Sequence, residues 1–214
     1  MKFFIHTCLL REWYVRSYLV PSMLAQGIPE GDIEVWVDFE RLGNLRAFVY
    51  TMRECGKREG ATWHLQDDVI ISRRFFEVCK QHDDGIVCGF ATKAYVESGM
   101  FPGHVSPHFM WYSFPCIRIP NELAAEFAEW FDEASMRENY RAWIAKNKYD
   151  DSFFRDFLIE RHKDIRPLNL APNLVNHIDY LIGGSSINPT RKDRAVSAYW
   201  IDDDLVDNLA KQLK

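Results

Sequence analysis

The sequence predicts an α/β fold built on a parallel sheet, and three observations carry that prediction. Three short apolar runs, residues 2–9, Ile33–Asp38 and Ala61–Gln66, are rich in aromatic and β-branched residues. The two segments between them have helical spacing. The second and third runs each end in carboxylates, Asp38 and the pair Asp67-Asp68. Strand, helix, strand, helix, strand implies parallel pairing through right-handed crossovers. Ligands of such sheets gather at the carboxyl ends of the strands. Two strands therefore deliver acids to one rim.

Each element follows from its residues. Residues 2–9 suit a buried strand. From 11 to 26 the residues Tyr14, Tyr18, Leu19, Met23 and Leu24 fall at helical spacing. Gly27 caps this helix, and Pro21 kinks or restarts it. Residues 28–32 form a turn, and Ile33–Asp38 is the second strand. Residues 43–55 are helical in pattern, and 56–60 close that helix. The third strand follows and ends at Asp67-Asp68. Residues 73–81 read as a helix with Ser72 as its N-cap, and 85–91 as a strand. The Gly-, Pro- and His-rich stretch 95–108 reads as a long loop at a site. Residues 109–114 are aromatic and strand-like. Residues 120–131 make an amphipathic helix with Leu123, Phe127, Trp130 and Phe131 on one side. Residues 140–146 continue in helical fashion. The helix from about 150 turns Phe153, Phe154, Phe157 and Leu158 inward. Residues 168–170 are a short strand, 172–178 lead into a polar loop at 183–186, and 203–214 close the chain as a helix. No repeat or linker divides the 214 residues, so one domain is expected.

Composition narrows the function. With 47% hydrophobic and 27% charged residues, the chain has a globular composition. A net charge of -5 argues against coating nucleic acid as a main role. Five scattered cysteines without a CxxC pair argue against a zinc ribbon or a disulfide scaffold; they read as small core residues in a reducing compartment. His6, Arg11 and Glu12 interrupt the apolar start too early for a signal peptide. No apolar run nears the roughly 18 residues that span a membrane. A cytoplasmic location is expected, without membrane association.

Asp67 and Asp68 carry the first chemical signal. Apolar runs flank them so closely that they must sit at a strand end or in a buried turn. Burying two adjacent charges is costly unless a cation or hydrogen bonds compensate. A hard divalent ion, Mg²⁺ or Mn²⁺, is an economical answer. A polar turn between two strands is the competing reading.

Three segments, taken in order, resemble a known family. Leu65-Gln66-Asp67-Asp68-Val69 resembles the acidic metal motif of GT-A glycosyltransferases, although it reads Gln-Asp-Asp rather than Asp-x-Asp. Asp150-Asp151-Ser152-Phe153-Phe154-Arg155-Asp156-Phe157 resembles the acidic helix start that holds a catalytic acid or the acceptor. Pro172-Asn173-Leu174-Val175-Asn176-His177-Ile178, ending near Ser185-Ser186, resembles the segment whose histidine completes the metal site. Together they cover about residues 3–190. The resemblance implies a GT-A-like (Rossmann-like) fold, with a mixed, mostly parallel sheet flanked by helices. It implies transfer of a sugar from a nucleotide-diphosphate sugar, a UDP-sugar first, to a hydroxyl acceptor.

The roles that follow are expectations. Asp68 is the direct ligand of Mn²⁺ or Mg²⁺, with Asp67 on metal-bound water or sugar hydroxyls. His177 is a further ligand; a core histidine is its competing reading. Asp38 holds the ribose or base, or caps a turn. Arg11 meets the nucleotide or its phosphates, or is a surface charge. Asp151, then Asp150, is the general base for an inverting transfer; either also suits an N-cap. Lys192 and Arg194 close over the diphosphate, or are solvated. Trp111 and Tyr112 stack on an acceptor ring, or belong to the core.

Other classes remain in view. One is a module of the same fold that binds nucleotide-sugar without transfer. Another acceptor is hydroxymethylated bases of phage DNA, with Arg73, Arg74, Lys163 and Arg166 as support. A nucleotidyltransferase would place a glycine-rich basic loop after the first strand, where residues 7–12 hold no glycine. Zinc hydrolysis needs a tighter cluster than His104, His108 and His177 offer.

Overall fold

The computed structural model describes residues 1–91, 103–104, 114–146, 150–183 and 200–213. The predicted α/β class is what it shows. A seven-stranded mixed sheet runs in the order β2-β1-β3-β7-β5-β8-β6. Its strands are β1 Lys2–Cys8, β2 Ile33–Asp38, β3 Ala61–Gln66, β5 Val87–Cys88, β6 Gly103–His104, β7 Cys116–Pro120 and β8 Leu168–Asn169. β1 lies parallel to both β2 and β3, and β5 parallel to β8. β7 is antiparallel to β3 and β5, and β6 to β8. A separate two-stranded ribbon joins β4 (Val69–Ile71) to β9 (Val175–His177).

Alternation along β1 separates two cores. Phe4 faces a ring-rich cluster with Phe48, Phe114, Phe127, Phe154 and Phe157. That cluster is covered by α3 (Asn44–Gly56), α5 (Asn121–Ser135) and α7 (Asp150–Arg161). Leu123, Phe127, Trp130, Phe131, Phe153, Phe154, Phe157 and Leu158 are all buried there, as their spacing predicts. Phe3 and Ile5 face the other core, with Tyr14, Trp63, Val69, Phe75 and Ile178. Each large side chain buried this way contributes about 1.5–3 kcal/mol. The period of two in β1 thus sets which helices cover which face.

The first helical segment has three parts: α1 (Glu12–Tyr14), a π-helical stretch Val15–Leu19, and α2 (Val20–Ala25). Pro21 sits in the first turn of α2, where its missing N–H is tolerated. The wider turn before it lets the segment run on without the break that proline would impose. Gly27 ends the segment at φ +85°, as its position predicts.

Several boundaries differ from the sequence reading. Residues 73–81 are helical only over α4 (Phe75–Cys79), and Ser72 is not its side-chain cap. Instead Asp202, just before α8 (Asp203–Gln212), accepts from the Arg73 N–H at 3.0 Å, and Gln26 accepts from Phe76 N–H at 3.1 Å. Caps from distant segments replace the local one. The 85–91 strand shortens to β5. The strand expected at 109–114 lies mostly outside the described residues, but β7 follows it, unforeseen because Arg118 interrupts the apolar pattern. Arg118 donates to the Asp83 carbonyl and to that of Gly85 at 2.5 Å, so its charge is satisfied at the sheet end. β9 forms where the sequence pattern predicts only a lead-in to a loop. α6 (Glu138–Ala145) begins two residues early. Of the cysteines, Cys55, Cys79, Cys88 and Cys116 are buried free thiols, as core residues should be. No helix among the described residues is long and apolar enough to cross a membrane.

Candidate functional site

The strand register builds the site. Cys8, the last residue of β1, pairs with Asp38 at the end of β2. His6 pairs with Gln66, so Asp67 and Asp68 lie one step past the end of β3 on the same rim. β1 lies between both acid-bearing strands, and its last polar residues meet their acids.

Asp67 and Asp68 are both buried, at 7% exposure each. Arg11, 5% exposed, lies between them. Its Nη1 donates to Asp67 Oδ1 at 2.8 Å and to Asp68 Oδ2 at 2.7 Å. Asp67 Oδ2 accepts from Thr7 Oγ1 at 2.9 Å and from the Cys8 N–H at 3.1 Å. These donors supply the compensation that burial demands. Burial works against the charge on Arg11, but the two acids hold it firmly protonated. Arg11 is therefore no surface charge.

His177 is brought to Asp68 by the β4–β9 ribbon. Val69 pairs with His177, and the Ile178 N–H donates to the Asp68 carbonyl at 2.8 Å. His177 Nε2 stands 3.2 Å from Asp68 Oδ1, and Nδ1 stands 3.3 Å from Asp179 Oδ1. Burial opposes a charge on the imidazole, yet Asp68 and Asp179 outweigh it and raise its pKa to about 10. Burial would raise the Asp68 carboxyl, but His177 and Arg11 hold it well below the ordinary range. Both directions describe one ion pair.

Asp68 Oδ1 is buried, and its neighbour is the His177 imidazole, with which it forms an ion pair at 3.2 Å. A divalent ion bonded at about 2.1 Å to a carboxylate oxygen and an imidazole nitrogen in adjacent positions holds them about 3 Å apart. The 3.2 Å pair fits that spacing. Among the described residues no group of three or more His, Cys, Asp or Glu is arranged to hold a metal. Asp67 has both oxygens engaged.

The remaining predicted residues separate. Asp38 caps its own loop, accepting from Leu42 N–H at 2.9 Å and Gly43 N–H at 3.1 Å. Asp150 and Asp151 open α7 on the ring-rich face. Asp150 lies beside Asn44, the first residue of the helix that leaves the rim after Asp38. It is 5% exposed and its Oδ2 has no hydrogen-bond partner. Burial and the Asp151 charge push its carboxyl up to about 7. Asp151 is also raised by burial, but its Oδ1 accepts from the Ser152 N–H at 2.7 Å. Lys192, Arg194, His108, Trp111 and Tyr112 lie outside the described residues. Arg73 is paired with Asp202 and Asp204, and Arg74 with Glu77.

Sequence reading missed His6, Thr7, Tyr14 and Asp179. His6 feels Asp67, Asp68 and Asp38 together, though burial dominates and lowers its pKa. Tyr14 Oη donates to the Val69 carbonyl at 2.7 Å and seats the first helix over β4. The position of His6 and Thr7 at the end of β1, between the two acid-bearing strands, is the available signal. Asp179 carried none beyond lying two residues after His177.

No family model and no curated protein matches the chain. Among solved structures it is similar to A197 from STIV, with 14% identity over 83% of this chain and 86% of that one, at a TM-score of 0.41. It is also similar to galactosyltransferase LgtC in complex with donor and acceptor sugar analogs, with 12% identity over 100% and 96%, at 0.40. A third is the 4-diphosphocytidyl-2C-methyl-D-erythritol synthase from Anaerococcus prevotii, with 11% identity over 99% and 96%, at 0.39. No residue role is carried over from them.

Proposed function

We propose that this chain is a metal-dependent glycosyltransferase of GT-A type, which moves a sugar from a nucleotide-diphosphate sugar, first a UDP-sugar, to a hydroxyl acceptor. The observation that carries the reading is the buried Asp68–His177 pair at the sheet rim, with carboxylate Oδ1 and imidazole Nε2 3.2 Å apart. Asp68 and His177 would hold Mn²⁺ or Mg²⁺. The ion, when bound, offsets the charge that builds on a departing diphosphate. Arg11 and Thr7 fix the acids so that Asp68 keeps Oδ1 directed at His177. Asp38, with its oxygens fixed by the loop, shapes the nucleoside side of the rim. Asp150 takes the acceptor hydroxyl proton. Its pKa of about 7 suits a group that gains and loses a proton near neutrality. Asp151, whose Oδ1 accepts from the Ser152 N–H, is the other candidate base at the same helix start.

Titration calorimetry with UDP, UDP-glucose and GDP, with and without Mn²⁺, tests the reading on wild type and Asp68→Ala. The expected result is one nucleotide whose binding needs both the metal and Asp68. Absence of metal-dependent binding to all three would remove the proposal. Binding that ignores both metal and Asp68 would favour a module that holds nucleotide-sugar without transfer, because Arg11 already balances the acids.

A further inference from the structure

We infer that the sheet rim carries an apolar tip, made of Leu9, Leu10, Trp13 and Phe39, that docks on an anionic phospholipid surface. Docking of this kind depends neither on a metal nor on sugar transfer. The sequence predicts no membrane association because no apolar run is long enough to span a bilayer. A surface contact needs only a few exposed apolar side chains beside cations.

Two neighbouring turns build the tip. Cys8 and Asp38 are register partners at the ends of β1 and β2, so the segments that follow them leave the sheet side by side. After β1 the Arg11 N–H donates to the Cys8 carbonyl at 3.0 Å, which closes a turn with Leu9 and Leu10 at its two corners. Turn corners favour Gly, Pro, Asn, Asp and Ser. Two leucines do nothing for the turn, and they stand in water, Leu10 at 83% exposure and Leu9 at 45%. Phe39, the first residue after β2, is 66% exposed. Trp13 in α1 is 45% exposed, with its ring held edge-on against Tyr14 and Tyr18 at 6.0 and 6.1 Å.

Area and charge select the occupant. The four side chains present roughly 500 Å² of mostly apolar surface. A stable protein interface buries about 800 Å² on each partner. The tip falls short of that, and side chains on turn corners are convex, which suits insertion between headgroups. Arg41, two residues past Phe39, is exposed and has no acid partner among the described residues. Its backbone is left-handed at φ 56°, a conformation that persists only where the surroundings hold it. The other charges around the tip are Arg16, Arg46, Glu12 and Glu40, with Arg16 paired to Glu12. Three arginines against two glutamates leave one positive charge, which favours anionic headgroups over neutral ones.

Co-flotation of the full chain with phosphatidylcholine vesicles, with and without phosphatidylglycerol, tests the inference. Wild type is expected to float with both and more strongly with the anionic vesicles. Leu10→Asn combined with Phe39→Asn is expected to weaken binding about 10-fold or more, because two large side chains no longer leave water. Asparagine suits a turn, so the fold should persist, and circular dichroism checks it. Arg41→Ala is expected to lose about five-fold on anionic vesicles and nothing on neutral ones. Met136→Asn is the control: Met136 is 76% exposed, and its neighbour Arg137 pairs with Glu160 at the far end of α7 from Asp150. It should bind as wild type does. Brominated phosphatidylcholine is expected to quench the fluorescence that Trp13→Phe removes. If the double variant does not fold, Leu10→Asn alone carries the test. Binding retained in the folded variant, or lost equally in Met136→Asn, overturns the inference. Absence of vesicle binding by wild type also overturns it. In that case a concentration-dependent dimer that the double variant loses would assign the tip to contact between copies.

Discussion

The chain carries the dipeptide Asp-Asp at two buried places, and the two have opposite electrostatic fates. At Asp67-Asp68 a guanidinium, a hydroxyl, a backbone N–H and an imidazole converge, and Asp68 is held ionised. At Asp150-Asp151 one oxygen of Asp150 has no hydrogen-bond partner, and its carboxyl rises to about 7. Asp150 is as deeply buried as Asp67 and Asp68. What differs is the set of groups that distant segments bring. A carboxylate meant to stay charged is surrounded by donors; one meant to exchange a proton is left short of them.

The strongest way to break this contrast is to remove the cation at the first pair. Arg11→Met leaves two adjacent buried carboxylates without their shared partner. It is expected to destabilise the fold by about 3–5 kcal/mol at pH 7, read as a lower denaturant midpoint. The loss should shrink as the pH falls and the carboxylates take up protons.

The second pair predicts the reverse. The ordinary Asp pKa is about 3.9, and that of Asp150 is about 7. Between these values the folded chain keeps a proton that the unfolded chain has released, so stability falls as pH rises through the window and stays lost above it. Asp150→Asn is expected to remove this slope. Denaturant unfolding should show a gain of order 2–4 kcal/mol at pH 8 and little change at pH 4. The same substitution should abolish transfer by removing the base, separating stability from activity at one atom.

The smallest effect sharpens the first region. Thr7→Val removes one of the donors to Asp67 and keeps the shape. A loss of about 1.5 kcal/mol is expected, read by the same unfolding experiment.

These differences explain what the sequence could reveal. Strands β1, β2 and β3, and the placing of Asp38, Asp67 and Asp68 on one rim, were legible because each apolar run and each glycine stop is a local signal. Gly27 is an example: its left-handed backbone ends the helix where the pattern does. β7 was hidden because Arg118 breaks the apolar run, and its partners are carbonyls over thirty residues away. β9 was hidden because three residues have no period to read. The pairing of Asp68 with His177 came from resemblance, since no spacing predicts a contact between residues so far apart. Arg11 was expected to meet the nucleotide, and only the fold shows it between the two acids. The fate of Asp150 was equally illegible, because an unpartnered oxygen is a property of the surroundings.

The β4–β9 ribbon also bears on how the molecule comes to be. Its two strands lie about a hundred residues apart in the sequence, so the loop between them must close before His177 can meet Asp68. Strands β1, β2 and β3 and Arg11 all lie within the first seventy residues and need no such closure. A nascent chain can therefore assemble the acid pair and its arginine early, while the histidine arrives only when synthesis has passed residue 177. Until then Asp68 lacks the partner proposed for metal binding, and competence is reached only with the last third of the chain in place.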